Sequence, residues 1–244
     1  MTMKLNYLTL GLIFVTVFIS CSKDDGNSPD PITKADINGS VNLYDEGTTK
    51  IDNSGMTIKV EETEFSATTN NQGVFNLSDI PFGTYTLVYE KQGFGTFKKF
   101  DIQHENDATA ITNTPSLGET SSTQVTDLTV QVNGNDITFS ITTNPSGSNS
   151  NRRYVRYFLS TDSNVSKDNY SFHSSGLISQ INPYETTLPL NELKNAGFST
   201  GQTVYIKAYG DSFWSSEYDD LDLDRKVFPN LNMNSADAVS FVVP

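Results

Sequence analysis

Phe213-Trp214-Ser215-Ser216-Glu217-Tyr218 sets the only tryptophan of the chain beside a phenylalanine, a tyrosine and a carboxylate. An exposed aromatic face stacks on the apolar face of a sugar ring, and nearby Asp and Asn oxygens accept hydroxyl protons. The same residue types serve equally as a protein-binding hot spot. The run follows Gly210-Asp211, where a strand over residues 203–208 should end, so Trp214 is expected on a loop, and loops carry recognition. Against this stands the simpler possibility that Trp214 folds back and plugs the end of a β-sandwich as core. Phe213, Trp214 and Tyr218 are the ligand-binding candidates.

Other chemistries find less to work with. Asp220, Asp222 and Asp224 alternate with Leu221 and Leu223 and briefly imitate a calcium loop. An EF-hand needs Gly at its sixth position and Glu at its twelfth, and those positions hold Arg225 and Leu231. These three acids are the calcium candidates, set against an acidic loop or edge strand whose charges discourage pairing with other chains. Zinc needs about three side-chain ligands at close quarters. The chain has two histidines, His104 and His173, with Asp107 and Gly176 three residues beyond them. No His-x-x-Glu or His-Glu-x-x-His run exists, and both histidines read as surface residues. The sequence also lacks a Gly-x-Ser-x-Gly elbow, a Walker-type loop and a dinucleotide glycine loop. No catalytic residue, resident metal or cofactor is assigned.

The elements that must position these residues begin with the amino terminus. Lys4 is followed by an uncharged apolar run over residues 8–19, then Phe18-Ile19-Ser20 and the only cysteine, Cys21. This is the layout of a secretory signal, and about 12 apolar residues fall short of the roughly 20 that span a bilayer. The segment resembles the signal of bacterial lipoproteins, in which a small residue precedes a cysteine that is acylated and becomes residue one. Phe18 departs from that pattern, in which Leu is commoner three places before the cysteine. The resemblance implies a signal peptide over residues 1–20 and a fatty-acylated (palmitate-type) anchor on Cys21. Lipidation would also occupy the odd thiol, which an oxidising exterior otherwise makes conspicuous. Ser22, Lys23, Asp24 and Asp25 resemble the export signal that sends lipoproteins to the outer face of the outer membrane in glycan-foraging Gram-negative bacteria. Residues 21–31 are polar and carry Pro and Gly, the composition of a flexible tether.

Formal net charge is −13. Removing residues 1–20 takes away Lys4 and no acid, which leaves −13 − 1 = −14. The isoelectric point near 4.4 argues against nucleic acid, because phosphate neutralisation needs clustered Lys and Arg. It also argues against electrostatic adhesion to anionic lipid. An acidic surface keeps a protein soluble and names no partner.

Beyond the tether, Thr, Ser, Asn, Val, Tyr and Phe dominate and turn residues recur at short intervals, an all-β signature. A first domain is read over residues 32–112. Val41 and Leu43, Ile58 and Val60, Phe75 and Leu77, and Tyr85, Leu87 and Tyr89 alternate with polar neighbours, which places one face of each strand in a core. Asn70-Asn71-Gln72-Gly73 reads as a tight hairpin and Ile80-Pro81-Phe82-Gly83 as a second turn. Together with Gly39-Ser40-Val41 and Gly93-Phe94, these segments resemble the carboxypeptidase regulatory-like domain, a transthyretin-like β-sandwich. In that family the module is non-catalytic and accompanies enzymes, transporters and surface proteins. The peptidase chemistry suggested by the family name fails on the ligand count above.

Residues 113–122 read as a linker and residues 123–244 as a second domain. Asn133-Gly134-Asn135 between two alternating runs is the strongest hairpin signal of the chain. Leu190 to Ala196 reads as a helical turn or two stopped by Gly197. The segment from Gly201 through Tyr205 to Tyr209 resembles a late strand of fibronectin type III and related immunoglobulin-like sandwiches, in which a Tyr anchors a turn through its hydroxyl.

The expectation is an all-β chain of two tandem β-sandwiches, transthyretin-like and then immunoglobulin/fibronectin III-like, behind a lipoprotein signal. It is expected to be lipid-anchored in the outer membrane, facing the cell exterior, and to bind rather than catalyse. The expected partners are the membrane through the anchor, then a glycan or an outer-membrane protein complex, and no nucleic acid. A structural or adhesive protein-binding role is the alternative. Glycoside hydrolysis by a carboxylate pair, whose spacing in space a sequence does not display, is the least favoured.

Overall fold

Alternation in the sequence becomes one-face burial at Ile58 and Val60, at Phe75 and Leu77, and at Ile137, Phe139 and Ile141. The computed structural model describes residues 33–244; Cys21, the signal region and Ser22, Lys23, Asp24 and Asp25 lie outside the described residues. The first strands are β1 (Lys34–Ser40), β2 (Asn42–Tyr44), β3 (Thr57–Val60), β4 (Ser66–Thr68), β5 (Val74–Pro81), β6 (Gly83–Glu90), β7 (Phe97–His104), β8 (Thr109–Ala110) and β9 (Ser116–Gly118). They form a three-stranded sheet ordered β5-β1-β8, a four-stranded sheet ordered β4-β3-β6-β7 and a short parallel pair, β2-β9. Val41, Leu43, Ile58, Val60, Phe75, Leu77, Leu87 and Tyr89 share one buried cluster between the sheets.

One turn differs from its expected geometry. The turn of residues 70–73 joins β4 to β5, which lie in different sheets, so it is a corner and not a hairpin. Asn70 builds it by accepting the Gln72 and Val74 N–H groups on its side-chain oxygen, each at 3.0 Å. Gly73 sits at φ +82°, and a Cβ there would collide with the Val41 carbonyl oxygen, which only glycine avoids. The β5–β6 turn likewise carries the chain from one sheet to the other.

The second half contains β10 (Gln124–Asn133), β11 (Asp136–Asn144), β12 (Arg153–Ser160), β13 (Phe172–His173), β14 (Leu177–Ser179), β15 (Tyr184–Pro189), α1 (Leu190–Asn195), β16 (Thr203–Asp211), β17 (Tyr218–Asp220), β18 (Arg225–Val227) and β19 (Val239–Val242). One sheet is ordered β10-β11-β15; the other runs β13-β12-β16-β19, with β14 also on β12. This is an immunoglobulin/fibronectin-like sandwich, so the chain is a tandem of β-sandwiches. Asn133 pairs with Asp136 across a two-residue turn whose Gly134 has φ +61°. Helix α1 closes at Ala196, followed by Gly197 at φ +95°. The Tyr209 ring packs edge-on to Phe158 of β12, centroids 5.7 Å apart.

Strands β12 and β16 are buried on both faces, and this follows from their composition. Val155, Tyr157, Leu159, Val204, Ile206 and Ala208 point into the main core. Their neighbours Phe158 and Tyr209 point the other way into a separate cluster with Val165, Phe228 and Leu231. A third layer, carrying the β17-β18 hairpin and the chain after it, therefore covers the outer face. Each large apolar side chain buried there contributes roughly 1.5–3 kcal/mol. Arg156 lies inside this layer. Its Nε is 2.8 Å from Asp211, one Nη is 2.8 Å from Glu217, the other donates to the Ser174 carbonyl oxygen, and its guanidinium lies 4.4 Å from the Phe228 ring centre. A buried cation persists only when paired and hydrogen-bonded in this way.

Residues 33–244 form one compact body. The residues read as a linker include β9, and the segment after it is held on both sides. Glu119 N–H donates to Tyr44, Thr120 N–H to Gly93 and Ser121 N–H to Asn230.

Candidate functional site

The loop after β16 is set by a series of backbone anchors. Ser212 N–H caps the Asp211 carboxylate at 2.8 Å, and its hydroxyl donates to the Glu119 carbonyl oxygen. Phe213 N–H donates to the Glu46 carbonyl oxygen at 3.0 Å. The Trp214 carbonyl oxygen accepts the Gly118 N–H at 3.1 Å. The loop carrying the aromatic candidates therefore lies along the seam between the two sandwiches.

Trp214 does not plug the end of its own sandwich. Its ring lies against Tyr44 of the first sandwich, centroids 4.8 Å apart and planes 30° apart. Phe213 stands edge-on to Trp214 at 5.3 Å and to Tyr154 at 5.6 Å, and remains 43% exposed. Tyr218 opens β17 and packs on Phe97 and Phe100 of β7, at 5.6 and 6.3 Å. All three candidates are thus brought to the seam, and Phe213 is the exposed one. The Trp214 indole N–H is buried without a hydrogen-bond partner.

A cleft of about 410 Å³ opens beside these rings, with Phe97 and Ser116 on one wall and Phe213, Trp214 and Glu217 on the other. The Glu217 carboxylate is placed by Arg156 at 2.8 Å and by Lys226 at 3.6 Å. A fixed carboxylate next to an exposed aromatic ring is an arrangement that accepts hydroxyl protons from a polyol while the ring covers its C–H face. Burial pushes the Tyr218 phenol up from its ordinary value. The Asp211 carboxyl is also raised, because its burial outweighs the pull of Arg156 and of the Ser212 N–H.

Asn230 closes the seam and carried no signal in the sequence. It is fully buried. Its amide nitrogen lies within 2.9 Å of the Gly118 carbonyl oxygen, the Trp214 carbonyl oxygen and the Ser216 hydroxyl. Its side-chain oxygen accepts the Gly95 N–H at 3.2 Å. Glu46 makes the second crossing by accepting from Ser122 N–H, the Ser122 hydroxyl and Arg153 at 2.6–2.8 Å. Arg156 had a visible signal, a lone cation inside the apolar run Tyr154-Val155-Arg156-Tyr157-Phe158-Leu159.

The calcium candidates do not converge. One Asp220 oxygen accepts the N–H groups of Asp222 and Leu223 at 3.0 and 3.1 Å and so shapes the β17-β18 turn, while Asp222 and Asp224 are exposed. Among the described residues no group of three or more His, Cys, Asp or Glu side chains is placed to hold a metal ion. The reading of His104 as a surface residue is corrected. It is fully buried, with Nε2 donating to the Ile80 carbonyl oxygen at 3.0 Å and Nδ1 against the Thr109 hydroxyl at 2.7 Å. His173 is half-buried, edge-on to Phe228 at 4.8 Å. Both are explained by the polar contacts and packing they satisfy. Among the described residues no helix is long and apolar enough to cross a membrane.

No protein-family model matches the chain, and no curated protein matches it. Solved structures do. A Bacteroides uniformis protein described provisionally as carbohydrate-binding is 17% identical, with 85% of this chain and 98% of that one covered and a TM-score of 0.32. A DUF3823 family protein from Parabacteroides merdae is 11% identical, covering 86% and 98%, with a TM-score of 0.30. A type II cohesin–X-dockerin complex from Acetivibrio cellulolyticus is 18% identical over 35% of this chain, with a TM-score of 0.30. The chain spans 58% of the length of that last structure.

Proposed function

We propose that this protein is a non-catalytic, glycan-binding accessory lipoprotein, anchored through Cys21 and displayed on the outer face of the outer membrane. Its first sandwich is read as transthyretin-like and its second as the immunoglobulin/fibronectin-like partner. The observation that carries the reading is the exposed Phe213 ring at a cleft whose walls come from both sandwiches and whose carboxylate, Glu217, is already positioned. The location rests on the Cys21 signal and on the four residues after it.

A glycan array probed with the full chain, wild type and Phe213→Ala, tests the binding. Wild type should bind neutral glycans and the variant should lose at least about tenfold in affinity with little change in thermal midpoint. Failure of wild type to bind any glycan ends the reading. Trp214→Ala is the poorer probe, because its ring also covers Tyr44, and its loss should lower stability by roughly 2–3 kcal/mol. For location, Cys21→Ala should abolish lipid labelling, and protease shaving of intact cells should release the chain.

An adhesive, protein-binding role is the second reading. It draws on Leu221 and Leu223, both exposed at the tip of the β17-β18 hairpin. A pull-down from intact outer membrane that returns one stoichiometric protein partner, lost in Leu221→Ser with Leu223→Ser, would favour it.

A further inference from the structure

Phe213 lines the first cleft and packs on Tyr154, which lines a second. This second opening, of about 410 Å³, is walled by the 45–49 turn of the first sandwich and the 149–154 segment of the second. Glu46 and Arg153 neutralise each other here at 2.6 Å, and the second Arg153 nitrogen is held by Asn151 at 2.7 Å. Asp45 commits one oxygen to the Gly47 and Thr49 N–H groups, at 2.8 and 3.0 Å.

Three groups face the cleft uncommitted among the described residues: the exposed Arg152 guanidinium, the other Asp45 oxygen and the Tyr154 hydroxyl. Tyr154 is 7% exposed, so its ring is held by packing while its hydroxyl has no protein partner. A donor fork, an acceptor and a phenol that does both suit vicinal hydroxyls. The charges balance, two acids against two arginines, which suits a neutral ligand over a uronic acid. Phe213 joins this cleft to the first, since its ring packs on both Tyr154 and Trp214.

We propose that the second cleft is a further sugar subsite, so that the ligand is a neutral oligosaccharide laid across Phe213 and not a single sugar. This rests on the first cleft being a glycan site.

The test is calorimetric titration of the full chain, in a detergent without a sugar headgroup, with neutral gluco-, xylo- and manno-oligosaccharides from disaccharide to hexasaccharide. Affinity for the bound series should rise at least about tenfold with length. Tyr154→Phe and Arg152→Ala should each remove most of that gain while leaving disaccharide affinity and the thermal midpoint unchanged. Equal affinity at every length, or variants that bind the long members as wild type does, overturns the subsite. Tighter binding of a uronic-acid oligosaccharide than of its neutral counterpart also overturns it. Length-independent binding that Phe213→Ala abolishes leaves the first cleft standing and removes only this inference. No binding by wild type removes both.

Discussion

The Asn230 amide nitrogen lies 2.8 Å from the Trp214 carbonyl oxygen and donates to it. Through that contact a residue beyond the β17-β18 hairpin holds the aromatic loop in place, while its own side-chain oxygen reaches Gly95 in the first sandwich. The two sandwiches and the candidate loop are thus joined at one buried amide. An unmade hydrogen bond at a buried group costs more than a made one gains, so this junction resists being opened.

Asn230→Ala should therefore lower stability by about 2–4 kcal/mol, because the Gly95 N–H and the Gly118 carbonyl oxygen lose their side-chain partner. For a body of this size the thermal midpoint falls by roughly 5–15 °C. Differential scanning calorimetry checks it, and an unchanged midpoint refutes the role of the junction.

Gly95→Ala should open the same seam by collision, since an added Cβ would meet the Pro229 carbonyl oxygen and Cβ. Overpacking of this kind costs about 1–3 kcal/mol. Gly176→Ala is the control, with only Arg156 Nη2 near its added Cβ, at 3.7 Å. Chemical denaturation of the two variants side by side should separate them.

Tyr89→Phe should stabilise the protein. The Tyr89 ring packs edge-on to Phe75 and Phe97, but its hydroxyl is buried without a partner. Deleting that oxygen removes a desolvation cost of about 1 kcal/mol, which raises the midpoint by roughly 2–4 °C. A lower midpoint would show that the hydroxyl has a partner in solution.

Stability should fall at alkaline pH through Tyr157, whose phenol burial pushes up to about 12 from an ordinary 10.0. The folded state holds this proton more tightly than the unfolded chain does. Its contribution is complete below pH 10 and is lost as pH rises toward 12, up to about 3 kcal/mol in all. Tyr157→Phe should flatten the midpoint-against-pH curve above pH 10, and an unaltered slope would refute the assignment.

Local chemistry made much of the strand pattern legible. Ile58 and Val60, and likewise Phe75 and Leu77, are buried on alternate positions as their polar neighbours imply, and Gly134 and Gly197 turn where positive φ is needed. The corner at residues 70–73 looked like a hairpin because Asn and Gly serve both, and only the partner strand tells them apart. His104 gave no sign of burial, since its two partners, Ile80 and Thr109, come from β5 and β8. For the candidate site, the types of Phe213, Trp214 and Tyr218 were visible, but not the surface they would meet.

The sequence by itself determined an all-β chain with one aromatic loop and an apolar stretch just before its only cysteine, because periodicity, turn residues and composition act over a few residues. Only the tertiary structure decided that β12 and β16 carry a third layer and that Trp214 lies on Tyr44. It also decided that Asn230 reaches Gly95 across 135 positions of chain. Such contacts depend on how separate sheets dock, and docking is set by surfaces that no short window of residues contains.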